Sequence, residues 1–371
     1  MASLRRRILW SVLGVLALAV IALAYVLAHE KPCEPGAALA AEIVTMKAVV
    51  RRCYGPPEVL ALEDVEKPTA AEDEVLVKVR AAGLNPLDWH YMRAEPYLMR
   101  LETGFGTPKS PRLGVDFAGV VESVGPGVTK YKPGDAVFGG KFGALAEFVA
   151  VAEDGSIARM PANVGFEEAA GVNVAAVTAL QALRDRAGVK AGQSVLINGA
   201  SGGVGSFAVQ IAKSMGAEVT GVSSSRNLEL VRSLGADHAI DYTKSDFTEG
   251  DRMYDVVIDN VANRSILEVR RVLAPHGKHL LIGGGGTDAN PWFGAFTAPL
   301  KGMVVSWFVD QDIGMFLSHG SGGDLAALAG LMEAGTLTTV IDRRYPLAQT
   351  AEAMRYLETG RARGKVIVTM P

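Results

Sequence analysis

Cysteine is nearly absent from this chain: only Cys33 and Cys53 occur among its 371 residues. Two cysteines exclude a disulfide framework and a four-cysteine structural zinc site. Histidine is also scarce, with six in all. His276 and His279 are close in sequence, but the pattern predicts a turn and a strand start there, so surface placement is expected rather than metal binding. An excess of basic charge is missing too: 37 Lys and Arg face 40 Asp and Glu, for a formal net charge of −3. The charges are interspersed and form no stripe that could neutralise phosphates, so no nucleic-acid partner is expected. There is no solenoid-length repeat and no long low-complexity tract.

What the chain does have is apolar mass and glycine. Hydrophobic residues make up 49% of it, enough to bury a real core in two or three domains, and its 42 glycines cluster locally. Ile8 to Ala28 runs without a charge, which at ~1.5 Å per residue spans the ~30 Å hydrocarbon layer. Residues 1–30 are therefore predicted to be a single-pass transmembrane segment. A cleaved signal peptide ending at Val26-Leu27-Ala28 is the alternative, but the run exceeds the roughly 7 to 15 apolar residues of such a core. Two expectations for its side oppose each other. Arg5, Arg6 and Arg7 put the N-terminus in the cytoplasm and the rest outside, whereas the cofactor inferred below is kept mainly in the cytosol. Residues 31–45, with Pro32, Pro35 and Gly36, read as a linker.

From Met46 the texture is short β-rich runs, including Glu74 to Arg80, Gly119 to Val124, Ala136 to Phe138 and Ala146 to Val151. They are punctuated by Gly125-Pro-Gly and Lys132-Pro-Gly-Asp turns. Many short strands with little helix predict a partly closed β-barrel domain. From Gly188 to Gly283 strands alternate with helical runs, which implies right-handed crossovers and a doubly wound parallel sheet.

Gly199-Ala200-Ser201-Gly202-Gly203-Val204-Gly205 joins an apolar strand to a helix. Glycines there let the chain turn tightly and bring backbone N–H groups and a helix N-terminus against a pyrophosphate. Ala200 stands where the dinucleotide fingerprint usually begins with Gly, and it is small enough to make the turn. Some 20 residues on, where an NAD-preferring site places Asp or Glu, the chain has Ser223, Ser224, Ser225 and Arg226. Hydroxyls and a guanidinium suit a 2′-phosphate, so NADPH is expected ahead of NADH. Without a ligand, Ser225 would simply cap the next helix.

Met46-Lys-Ala-Val, Gly114-Val-Asp-Phe-Ala-Gly119, Pro133-Gly-Asp-Ala-Val137, Gly199 to Gly205 and Arg363-Gly-Lys-Val-Ile-Val368 together resemble the medium-chain dehydrogenase/reductase family, in its own order. The branch most similar is the zinc-free, zeta-crystallin-like quinone oxidoreductases. The resemblance implies a GroES-like catalytic domain in two pieces, 46–170 and 305–371, around a Rossmann domain at 171–304, with the active site in the cleft and a homodimeric assembly. Zinc-using relatives carry Cys and Gly-His-Glu at the metal. Here Asn85 and Gly114-Val115-Asp116 stand instead, and Val115 cannot bind zinc. The resemblance further implies that Asn85 and Asp88 line the acceptor site, with Tyr91, His90 or water supplying a proton. It places Thr178, Asn260, Gly283, Tyr242 and Lys365 on the cofactor. Each also has an ordinary structural role open to it: Asn85 can end a strand and Asp88 can cap a helix.

A metal-free site leaves hydride delivery to an already electrophilic acceptor, a quinone or an α,β-unsaturated carbonyl. The alternatives are a zinc-independent alcohol or aldehyde reductase, or a membrane-tethered nucleotide-binding protein without turnover.

Overall fold

The computed structural model describes the chain except Met1, Gly285, residues 287–289 and residues 295–296. A long helix, α1 (Ala2–Ala28), opens it. The next elements are β1 (Thr45–Arg51), β2 (Leu60–Glu66), β3 (Glu74–Leu84), α2 (Pro86–Arg93), α3 (Arg100–Thr103), β4 (Asp116–Val124), β5 (Ala136–Gly140), β6 (Phe148–Ala152) and β7 (Ile157–Arg159). After α4 (Phe166–Ala170) and α5 (Asn173–Gln181), strand and helix alternate through β8 (Ser194–Asn198), α6 (Gly203–Ser214), β9 (Glu218–Ser223), α7 (Leu228–Ser233), β10 (His238–Asp241), β11 (Tyr254–Asp259), α8 (Ile266–Val269) and β12 (Leu273–Leu281). The chain ends with α9 (Thr297–Ser306), β13 (Asp312–Met315), α10 (Gly322–Glu333), β14 (Ile341–Pro346), α11 (Thr350–Glu358) and β15 (Lys365–Thr369).

Alternation in β3 turns Val75, Val77 and Val79 toward Phe117, Val121, Val137, Val149 and Val151, and these side chains fill the interior of the barrel-like sheet. That sheet has seven strands in the order β14-β15-β3-β4-β5-β7, with β6 also on β3. The last strand of the chain thus pairs antiparallel with β3, Val366 facing Leu84. Sequence-remote ends meet at one place.

The second sheet is parallel, in the order β10-β9-β8-β11-β12-β13. Val195, Leu196 and Ile197 of β8 are all fully buried, as strands covered on both faces by helices must be. The order reverses between β8 and β11, and a doubly wound sheet binds its ligand at the strand C-termini of such a switch point. That point puts the loop after Asn198 beside the loop after Asp259.

Three expectations need correction. The boundary at 304 falls too early: β13 pairs in register with β12, Ile313 on His279, and completes the nucleotide sheet, because β12 would otherwise leave a parallel edge unpaired and Ile313 is buried by joining it. The stretch 31–45 is no free linker. Cys33 is disulfide-bonded to Cys53, their Cα atoms 4.8 Å apart, and the Lys31 N–H donates to the Gly106 carbonyl at 3.1 Å. His279 is fully buried, since the strand β12 begins earlier than expected and carries it inward, where its Nε2 lies 3.3 Å from the Asp259 carboxylate.

Candidate active site

The glycine turn has the geometry its sequence demands. Gly199 adopts φ +76°, and a Cβ on Gly205 would stand 2.1 Å from the Gly199 carbonyl oxygen, so nothing larger than glycine fits at Gly205. Ala200 is fully buried and its N–H donates to the Val222 carbonyl at 3.0 Å, which seats the turn on β9. Gly202 precedes α6, whose first turn presents Gly203, Val204 and Gly205 with N–H groups free of intrahelical partners. The Ser201 carbonyl accepts from the Gly364 N–H at 2.8 Å, which ties this loop to the head of β15.

On the other side of the switch point, Asn260 donates from Nδ2 to the Asn198 carbonyl at 2.9 Å, while its Oδ1 is buried and has no protein partner. A cradle that a Cβ would fill and an orphaned buried oxygen beside it fit a dinucleotide. A Cβ on Gly283 would meet the Asn260 carbonyl at 2.4 Å, so that glycine allows the two loops to pack. Thr178 lies buried in α5, its Oγ1 donating to the Val174 carbonyl at 2.6 Å and 2.7 Å from the Ser318 hydroxyl.

Ser223 is buried at the end of β9, whereas Arg226 is exposed and Tyr242 half-exposed. Arg226 donates to the Arg361 carbonyl at 3.0 Å. The buried Asn227 amide donates to the Ser201 hydroxyl at 3.0 Å, joining the glycine turn to this serine-rich loop. Sequence reading found no carboxylate here, but the sheet brings Asp241 into register with Ser223. Its charge is engaged: the Ser225 and Thr243 hydroxyls hold its carboxyl down to about 2, so it is committed to the loop itself.

The acceptor side centres on Asn85, at the end of β3 and before α2. Pro86 opens α2, and Asp88 turns back to accept the Asn85 N–H at 2.7 Å. The Asn85 amide is 2% exposed. Its Nδ2 donates to Asp116 at 2.9 Å and makes only a long 3.4 Å contact to the Gly83 carbonyl, while its Oδ1 accepts from the Lys365 ammonium. Asp116 is also 3.3 Å from the Lys365 Nζ and accepts from the Asn173 amide and the Val174 N–H at 3.0 Å each. Asp116 and Asn173 escaped sequence reading as site residues. The only signal was an aspartate heading the apolar run Phe117-Ala-Gly-Val, where a buried carboxylate needs a partner.

Lys365 comes from β15, next to the Gly364 bound to the glycine turn, and its Cδ lies where a Cβ on Gly203 would be 3.6 Å away. It touches both halves of the site. The positive charge beside Asn85 and Asp116 is thus an ammonium of the chain's own. Among the described residues no group of three or more His, Cys, Asp and Glu has a metal-holding arrangement.

Asp88 is fully buried with one oxygen unpaired. Burial, reinforced by the Asp116 charge and opposed by the Asn85 N–H, raises its carboxyl to about 7. Tyr91, half-buried, packs edge-on against Phe142 at 4.8 Å, and burial pushes its hydroxyl up. His90 is stacked on Trp89 with its Nδ1 held 2.6 Å from the Glu95 carbonyl, and burial lowers its pKa. One of its two nitrogens is therefore committed to the backbone.

Fold and site together define an oxidoreductase built on a dinucleotide-binding sheet and a barrel-like catalytic domain. Residues 71–162 match the family described as alcohol dehydrogenase GroES-like domain, and residues 234–368 that described as zinc-binding dehydrogenase. The chain is 36% identical over 338 residues to the 2-methylene-furan-3-one reductase of Solanum lycopersicum, covering 87% of this chain and 79% of that protein. It is 36% identical over 342 residues to the chloroplastic NADPH-dependent alkenal/one oxidoreductase of Arabidopsis thaliana, with the same coverage of 87% and 79%. The quinone oxidoreductase structure from Coxiella burnetii superposes with a TM-score of 0.76 at 29% identity, covering 88% of this chain and all of that one. The chain belongs to the medium-chain dehydrogenase/reductase family, in its zinc-free quinone oxidoreductase branch.

Proposed function

We propose that this enzyme oxidises NADPH and passes the hydride to the conjugated double bond of a quinone or an α,β-unsaturated carbonyl, without a catalytic metal. The observation that carries the reading is the buried Asn85, Lys365 and Asp116 cluster, in which an amide and an ammonium are held together beside the glycine turn without a metal ligand set. The names of the tomato and Arabidopsis relatives support the acceptor class.

When bound, the reduced nicotinamide supplies the hydride. Gly199 to Gly205 and the start of α6 would hold its diphosphate; Ser223, Ser224 and Arg226 would hold the 2′-phosphate, with Tyr242 against the adenosine end. Thr178, Asn260, Gly283 and Lys365 would line the nicotinamide end. Conjugate reduction places negative charge on the acceptor oxygen, and preorganised donors stabilise it. Lys365 has a further N–H beyond its bonds to Asn85 and Asp116. Asn85 orients that ammonium and offers the second hydrogen of Nδ2. Asp88, which keeps its proton up to about neutral pH, and Tyr91 would supply the proton.

The chain is tethered to a membrane by α1, whose Trp10–Ala28 portion is apolar over 19 residues. The homodimer would form along β13, an edge strand of the sheet flanked by exposed Met303, Val304, Trp307 and Phe308. The decisive experiment for the catalytic reading is Asn85→Ala: NADPH binding persists while its oxidation by quinones and 2-alkenals falls at least ten-fold. Unchanged turnover would remove Asn85 from the mechanism.

A further inference from the structure

The end of α1 is built into the catalytic domain. Arg100 is fully buried, which an unpaired guanidinium does not tolerate. It donates to the Leu27 carbonyl at 2.8 Å and pairs with Glu30, while Leu27 itself is only 2% exposed. With Lys31 on the Gly106 carbonyl and Cys33 on Cys53, the chain has no slack between helix and domain. The helix can leave the domain in one direction only.

If α1 spans the bilayer, the domain surface around Leu27 is therefore held where the helix emerges from the hydrocarbon. That surface is apolar. Leu98, Leu101 and Phe105, on the same stretch as Arg100 and Gly106, are 42%, 52% and 50% exposed. Tyr97 stacks on the Arg100 guanidinium at 4.3 Å, its N–H donates to the Pro291 carbonyl at 2.7 Å, and its ring meets Trp292 edge-on at 5.0 Å. Phe293, next in sequence, is 55% exposed. Aromatic and aliphatic side chains grouped with exposed Glu102 and Lys109 suit the headgroup boundary, where amphipathic rings and charged heads both find partners.

We propose that Leu98, Leu101, Phe105 and Phe293, with Tyr97 and Trp292, form a second membrane contact that seats the catalytic domain on the lipid surface. The proposal rests on reading α1 as a membrane anchor. The same seat brings the end of α2 at Arg93, which leads into the stretch 97–105, toward the lipid surface.

The test is photolabelling of the full chain in phosphatidylcholine vesicles containing a diazirine-bearing phosphatidylcholine, with labelled positions mapped by mass spectrometry. Label is expected on α1, on residues 97–105 and on residues 292–293, and Leu101→Asp combined with Phe105→Asp is expected to reduce the second and third several-fold while α1 keeps its label. Label confined to α1 would overturn the proposal and leave the anchor standing. Cross-links between two copies at residues 97–105 would overturn it in favour of a protein interface. Absence of label from α1 as well would overturn both the proposal and the anchor it rests on.

Discussion

Lys365 and Asn85 lie 280 residues apart, yet the ammonium of the first donates to the amide oxygen of the second. The contact exists because β15 pairs with β3, so the final strand delivers a cation to the end of an early one. Lys365 is 2% exposed and Asp116 fully buried, and breaking a buried pair leaves an uncompensated charge. Lys365→Met is expected to lower unfolding stability by about 3–5 kcal/mol, and Asp116→Asn added to it to restore most of that. Chemical denaturation of the three proteins decides. Equal losses in the single and double variants would mean that Lys365 acts through packing rather than charge.

Asp88 gives stability a pH dependence of unusual sign. Its carboxyl rises from an ordinary 3.8 to about 7 in the fold, so the folded chain keeps a proton that the unfolded chain has released. Stability from this group is thus lost as pH climbs from about 4 to about 7, and is level above. Asp88→Asn keeps an acceptor for the Asn85 N–H and abolishes the slope. Relative to the parent it is expected to gain up to about 4 kcal/mol at pH 8, with the gain shrinking toward zero near pH 4. A difference independent of pH, followed by urea denaturation, would contradict the assignment.

Gly205 tests the cradle. Alanine there would bring its Cβ to 2.1 Å from the Gly199 oxygen, forcing the loop open. Gly205→Ala is expected to weaken NADPH binding by at least ten-fold, or about 1.4 kcal/mol, in a fluorescence titration. Undiminished affinity would place the diphosphate elsewhere.

Arg226 tests the choice of coenzyme. Arg226→Glu sets a carboxylate against a 2′-phosphate, so NADPH affinity is expected to fall about ten-fold while NADH affinity holds, a change of about 1.4 kcal/mol for one ligand only. Parallel losses for both nucleotides would show that Arg226 serves the loop alone, through Arg361.

The side of the membrane can be settled in whole cells. The three arginines before the apolar run of α1 and the bond between Cys33 and Cys53 both favour a non-cytoplasmic domain, so protease added to intact cells is expected to digest it. Protection would mean an inverted anchor, with the domain in the compartment where reduced nicotinamide is made.

The nucleotide half was legible because each of its elements is short, local and self-declared. The limits of β8 and β11 coincide with the apolar runs Ser194 to Asn198 and Tyr254 to Asp259, and Gly199 to Gly205 carries its own backbone signature. The acceptor half was legible only residue by residue. Asn85 and Asp88 could be named from resemblance, but nothing in their neighbourhood announces that Asp116, Asn173 and Lys365 converge on them, because that convergence is made by sheet pairing between distant strands. His279 misled for a related reason: the parallel edge that draws β13 onto β12, and buries the imidazole beside Asp259, is a tertiary property. Nothing in the sequence around Arg100 announces its burial, which comes with the docking of Leu27 and Glu30 onto its guanidinium.

The central claim is metal-independent hydride transfer to a conjugated acceptor, and steady-state NADPH oxidation by the full chain in vesicles tests it most directly. With 1,4-quinones, 2-alkenals and saturated aldehydes compared side by side, in the presence and absence of a zinc chelator, turnover is expected with the first two and unaffected by the chelator. Preference for saturated aldehydes, or activity that vanishes on chelation and returns with zinc, would contradict it.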